Sequence, residues 1–152
     1  MQRHPPDSPQ AVARVLALAI VADGSYDPRE LAALDRCGGF ARIDLPRGEF
    51  IALLRELFSW LMCRMARDGH ASLLDDEVID RLAAEVRRPD LQLLTCGLLM
   101  EILPADGRLS QAELAVLQRL LERWQPPRQS LADVLAGSAQ PSAAEARSQP
   151  RT

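Results

Sequence analysis

Cysteine and histidine are scarce in this chain of 152 residues, three and two respectively, and neither type is grouped. Cys37, Cys63 and Cys96 stand far apart among apolar neighbours. Without a Cys-x-x-Cys pair there is no thiolate zinc site to expect, and an odd, scattered set reads as buried reduced thiols of a cytosolic protein. His4 sits in a Pro-rich head and His70 follows Asp68-Gly69 in a loop, each without a second His or Cys nearby. That argues against a transition-metal site and for solvated loop residues. No glycine-rich loop is present to cradle a phosphate. No spacing of Ser, Cys and His suggests a nucleophile beside its base, so no catalytic residue is assigned.

An excess of one charge is lacking as well. The net charge is -3, with both signs interspersed, so neither the basic footprint of a nucleic-acid binder nor a polybasic membrane patch is there. The first residues, Met-Gln-Arg-His-Pro-Pro-Asp-Ser-Pro, hold no apolar core of an export signal. The longest apolar run, Leu93 to Leu103, is interrupted by Thr95 and Glu101 and falls short of the roughly 20 residues that span a bilayer. No transmembrane segment is expected, and the location that follows is cytoplasmic.

What is present is helical periodicity. Hydrophobic residues make up 47% of the chain, enough for one domain with one core. Residues 1–8 are expected to be a disordered or loosely attached head, 9–136 a helical domain, and 137–152, rich in Ala, Ser, Gln and Pro, a disordered tail. Ser8-Pro9 is an N-cap and first-turn pair. It opens a helix to about Val21, apolar nearly all round and therefore central. A second helix starts at Asp27-Pro28 and stops at Gly38-Gly39, after which Phe40, Ile43 and Leu45 anchor a connector. A third, about Pro46 to Ala66, carries the stripe Phe50, Leu53, Leu54, Leu57, Phe58, Leu61, Met62 and Met65. A fourth begins at Asp75 or Asp76 and turns Val78, Ile79, Leu82 and Val86 inward. Asp90 is expected to cap a fifth, again central, through Leu103. The sixth runs from Ser110 to about Trp124 with Leu114, Leu117, Leu120 and Leu121 inward, and Ser130 to Ala136 is a short docking helix. Trp60 and Trp124 are expected to be partly buried. The fold class is all-α: a compact bundle of about six to seven helices.

Two segments align without a gap, residues 22–36 and 105–119. At a constant offset of 83 (106 − 23 and 113 − 30), Ala22, Asp23, Gly24, Glu30, Leu31, Ala32, Leu34 and Arg36 meet the same residue types at Ala105, Asp106, Gly107, Glu113, Leu114, Ala115, Leu117 and Arg119. Upstream, Leu16 pairs with Leu99 and Ile20 with Leu103. Two such helix–turn–helix units imply a pseudo-two-fold arrangement, with the first and fifth helices side by side. Ala-Asp-Gly, a spacer and a Glu opening an amphipathic helix, duplicated across residues 10–125, resembles the tellurite-resistance TerB-like family. The resemblance implies a non-enzymatic helical bundle in a metal or stress response, cytoplasmic or peripherally associated with a membrane complex through an unidentified protein partner. It also implies acidic residues able to bind a divalent cation, which map to Asp23 and Glu30 and to Asp106 and Glu113.

The residues of the turn admit two readings. Asp27-x-x-Glu30 and Ser110-x-x-Glu113 both have the form of a capping box, in which the first side chain accepts a backbone N–H and the Glu reaches back. On that reading the motifs are helix caps only, and the protein is a structural interaction adaptor. Asp23 and Asp106 are less easily dismissed, because a carboxylate at a helix C-terminus is disfavoured by the dipole and needs an offset. With Asp23 placed at position 5 of a calcium loop, Gly24 falls at 6, Tyr26 at 8, Asp27 at 9 and Glu30 at 12; Asp106, Gly107, Leu109, Ser110 and Glu113 follow the same pattern. Positions 1 and 3 fail, being Ala19 and Val21 in one unit and Ile102 and Pro104 in the other. Each turn is half a calcium loop. The metal candidates are Asp23, Asp27, Glu30, Asp106 and Glu113, for weakly held calcium or magnesium. The acidic first turn Asp75-Asp76-Glu77 is a secondary candidate.

Overall fold

Ser8 accepts the Ala11 N–H at 3.1 Å through its hydroxyl, and Pro9 occupies the first turn, so α1 (Pro9–Ile20) starts where the local sequence dictates. Every residue from Ala11 to Ile20 is buried. The computed structural model describes residues 2–69 and 74–138. His70 and the tail beyond Ser138 lie outside the described residues. Around α1 the chain forms α2 (Pro28–Arg36), α3 (Gly39–Arg42), α4 (Arg47–Asp68), α5 (Asp76–Ala83), α6 (Pro89–Ile102), a 3-10 turn (Leu103–Asp106), α7 (Gln111–Trp124) and α8 (Arg128–Ser138). No strand occurs among the described residues.

The all-α bundle is as the periodicity predicts, and α1 is its hub, touching α4, α5, α6 and α7. Its small side chains (Ala11, Ala13, Ala17, Ala19) let those neighbours approach closely. α6 lies against α1, as expected of the first and fifth helices, and in turn carries α2, α7 and α8. The repeat-related pairs Leu16/Leu99 and Ile20/Leu103 are all 0–1% exposed. The connector anchors Phe40, Ile43 and Leu45 are buried, but the segment winds into the extra helix α3, and Phe40 meets Phe50 edge-on at 5.4 Å.

Several expectations are corrected. α4 leans chiefly on α1, so only the narrow face Phe50, Leu54, Leu57 and Leu61 is buried, while Met62 is exposed. On α7 the fully buried positions are Glu113, Val116 and Leu120; Leu117 packs partly buried against the core, as expected, while Leu114 is 39% exposed. α6 starts before Asp90, with Arg88 at the N-cap, because Pro89 fits the first helical position, where its fixed φ and missing N–H cost nothing. Of the three thiols only Cys96 is buried; Cys37 is half-buried and Cys63 exposed.

Polar contacts that periodicity does not signal tie the bundle together. Arg14, in the middle of α1 and 2% exposed, donates to Glu85 at 2.7 Å. Asp7 accepts the N–H groups of Arg87 and Arg88 at 2.6 and 2.9 Å, and donates its own N–H to the Glu85 carbonyl at 2.8 Å, so the segment before α1 is hydrogen-bonded to the α5–α6 junction. Arg119 grips Asp80 with two bonds of 3.0 and 2.7 Å, joining α7 to α5. Trp60 and Trp124 are half-buried, and the Trp124 indole N–H donates to the Ala83 carbonyl at 3.3 Å.

Candidate functional site

The two Ala-Asp-Gly turns are built alike. Gly24 and Gly107 have φ of 89° and 78°, the left-handed region that glycine enters without a Cβ clash. The Gly24 N–H donates to the Val21 carbonyl at 3.0 Å and the Gly107 N–H to the Pro104 carbonyl at 2.9 Å, the same bond in each unit. Gly107 caps the 3-10 turn and Gly24 closes the turn that follows α1, and each lets the chain reverse into the next helix.

The helix starts that follow differ. At α7 the capping box is complete: the Ser110 hydroxyl accepts the Glu113 N–H at 3.1 Å, and the Glu113 carboxylate accepts the Ser110 N–H at 2.6 Å. At α2 the Asp27 carboxylate accepts the Arg29 N–H at 2.8 Å and is also held by the Arg29 Nε at 3.3 Å. The Glu30 N–H goes instead to the Asp27 backbone carbonyl at 3.1 Å. The Asp27 side chain therefore caps the second helical position and not, as the expected box has it, the third.

Asp23 finds the offset that a carboxylate at a helix end requires. One of its oxygens accepts both the N–H and the hydroxyl of Ser25, each at 3.0 Å. Asp23 is exposed and Asp27 half-buried. Glu30 and Glu113 are 2% and 5% exposed.

The structure brings the two units together, which the repeat alone does not require. α2 packs on both α6 and the 3-10 turn that ends in Asp106. A cleft of about 210 Å³ between them is lined by Asp23, Tyr26, Asp27, Glu30 and, from the other unit, Glu113. An adjoining open cleft of about 670 Å³ shares Asp23 and Glu113 and adds Arg108, Leu109, Ser110 and Gln111. Four of the five predicted site residues thus line one concavity. The Asp106 side chain lies outside the described residues. Sequence reasoning did not single out Arg108, nor did it see Tyr26 and Leu109, repeat equivalents at the same offset of 83, as a flanking pair; both are exposed. The constant offset and the placing of Glu30 and Glu113 next to inward positions were the available signals.

The donors are carboxylate oxygens, the hard ligands that calcium and magnesium take. Among the described residues, no three His, Cys, Asp or Glu side chains converge as a ready metal-holding group. Carboxylates are the donor type a hard cation takes, but here they are spread along the cleft instead of gathered around one point. The secondary candidate is already occupied by protein cations: Arg64 lies 2.8 Å from Asp75 and 3.9 Å from Glu77, and Arg119 lies 4.0 Å from Asp76. The Asp75 hydrogen bond is the main influence holding the Arg64 pKa above its ordinary value. No helix among the described residues is long and apolar enough to cross a membrane.

Residues 9–123 match the family model described as tellurite resistance protein TerB. No curated protein and no solved structure matches the chain.

Proposed function

Because the chain belongs to the TerB family of tellurite-resistance proteins, we propose that it is a non-catalytic helical module of a tellurite, metal or general stress response, whose two acidic turns jointly hold a divalent cation. The observation that carries this reading is the pair Glu30 and Glu113. They are repeat equivalents, 2% and 5% exposed, and they line one cleft with Asp23. Burying a carboxylate is costly unless hydrogen bonds or a cation offset it; the Ser110 N–H supplies part of that offset for Glu113, and a cation would add to it. Calcium or magnesium would draw on Asp23, Asp27, Glu30 and Glu113, with Asp106 in the equivalent turn, and water would supply most of its shell, since the described carboxylates do not converge as a ready metal-holding group. Binding is weak, because Asp23 and Asp27 already commit oxygens to Ser25 and Arg29. The module works in the cytoplasm or at the inner face of a membrane.

A second reading is favoured by the complete box at Ser110 and Glu113: the turns are caps alone, and the protein is a structural adaptor. The double substitution Glu30→Gln/Glu113→Gln separates the two. Gln is accepted at the third position of a capping box, but it lacks the charge and bidentate grip that a hard cation prefers. A cation bound only to the native state stabilises it by RT ln(1 + [L]/Kd), about 2.7 kcal/mol at a hundredfold excess over Kd. The parent is expected to melt higher in millimolar calcium or magnesium, and the double variant to lose that rise while melting within a few degrees of the parent in chelator. A parent whose Tm ignores every divalent cation leaves the adaptor reading standing.

A further inference from the structure

Four large apolar side chains are exposed among the described residues, and three of them belong to the acidic turns or the helix start that follows: Tyr26 (43%), Leu109 (45%) and Leu114 (39%). Tyr26 lines the smaller cleft and Leu109 the larger one, while Leu114 follows Glu113 on α7. Local helix-start packing explains only part of this. A residue just before the N-cap packs against the fourth residue of the helix in a hydrophobic staple, which pairs Tyr26 with Leu31 and Leu109 with Leu114. In the first unit the staple does bury its helical member, Leu31 being 7% exposed. In the second unit both members stay in water, at a cost of the order of 1 kcal/mol each relative to burial. Exposed apolar side chains clustered beside polar ones mark interaction surfaces. The electrostatics narrow the occupant: across the two clefts Asp23, Asp27, Glu30 and Glu113 outnumber the nearby cations, Arg108 in the lining and Arg29 paired with Asp27.

We propose that this rim and the cleft within it form a docking surface for a basic peptide segment of a partner protein. A Lys or Arg of the segment enters beside Asp23 and Glu113, and its apolar neighbours cover Tyr26, Leu109 and Leu114. This rests on the same cleft as the cation reading but not on a metal being bound. Where both hold, the divalent cation and the basic side chain compete for the same carboxylates, and the metal releases the peptide.

The test is selection of a random peptide library on the full chain in chelator, followed by affinity measurement of the enriched peptides. Enriched sequences are expected to place Lys or Arg next to Leu, Ile or Phe, and to bind more weakly in half-molar salt, which screens the charges. Leu109→Ser/Leu114→Ser and Asp23→Asn change exposed side chains, so both variants are expected to keep the parent's circular dichroism while weakening binding about tenfold or more. Enrichment of acidic or purely apolar sequences, absence of enrichment, or affinities untouched by both variants would overturn the proposal. Calcium provides the arm that tells the two readings apart. Peptide binding that persists unchanged in millimolar calcium supports the docking surface and counts against a cation in the cleft, whereas a Tm rise in calcium without any enriched peptide does the reverse.

Discussion

Replacing Glu85 with Ala leaves a guanidinium stranded in the core. Arg14 lies mid-way along the central helix, and its Nη1 sits 2.7 Å from the Glu85 carboxylate, with the two side chains 3% and 19% exposed. Burial already pulls the Arg14 pKa below its ordinary value, and Glu85 is the main group opposing that pull. Removing one partner of a buried pair costs roughly 3–5 kcal/mol, because the remaining charge has lost both water and its counter-ion. Two features place Glu85→Ala near the lower end, about 3 kcal/mol. The Glu85 side is partly open, so water can follow the deletion, and Glu56 also favours the charged Arg14. Arg14→Met is the milder change. It keeps most of the side-chain volume in the core and leaves Glu85 with its own access to water, for a cost of about 1 kcal/mol. The assay is urea unfolding. With m of about 1–3 kcal/mol/M, Glu85→Ala should move the midpoint down by about 1–3 M and Arg14→Met by a third of that, at unchanged m. If Arg14→Met proves as costly as Glu85→Ala, the stranded-charge argument is wrong and the pair is held by packing.

Two further outcomes follow from the surface and the thiols. Burial pushes the Cys96 thiol up to about 12, so a thiol reagent at neutral pH is expected to modify exposed Cys63 first, half-buried Cys37 slowly, and Cys96 only on unfolding; fast labelling of Cys96 in the native protein would contradict its placement. The Arg88 backbone N–H holds the Asp7 carboxyl below its ordinary range, and the Arg119 hydrogen bond does the same for Asp80. Carboxyls whose folded pKa is depressed contribute stability that is present above the ordinary carboxylate pKa and is lost as pH falls through the folded value. Asp7→Asn and Asp80→Asn should therefore be less stable than the parent at neutral pH, with the gap closing below about pH 4; a gap that widens towards acid would reverse the sign of the argument.

Much of the fold was legible because its determinants are local. Ser8-Pro9 before an Ala-rich apolar segment, Asp75 before Val78-Ile79, and Gly after Ala-Asp each act within one or two turns, and each helix start or chain reversal falls where they put it. What was not legible depends on partners distant in sequence. Met62 lies on the predicted stripe of α4 but past the arc that α1 covers, and Cys63, beside it, is exposed for the same reason. Arg14 reads as a break in an apolar helix until Glu85, 71 residues away, is seen to meet it. Asp27 had the spacing for a box with Glu30, yet its side chain bonds one position earlier, at Arg29.

The candidate site divides in the same way. Its residues were readable from the repeat, but their meeting was not, since a constant offset gives equivalence and says nothing of proximity. Proximity comes from α2 settling on α6 and on the 3-10 turn, which sets Glu30 of one unit and Glu113 of the other along one cleft. Comparing the two copies then bears on what the glutamates are for. Their surface neighbours have diverged: Leu31 is buried where Leu114 is exposed, and Arg36 is exposed where Arg119 is bound to Asp80. The N-cap residue has changed from Asp27 to Ser110, and the backbone N–H it caps has shifted from the second helical position to the third. The buried glutamate is nevertheless present in both. A capping role and a role in the shared cleft both call for a carboxylate here, and the Glu30→Gln/Glu113→Gln variant melted with and without calcium separates them.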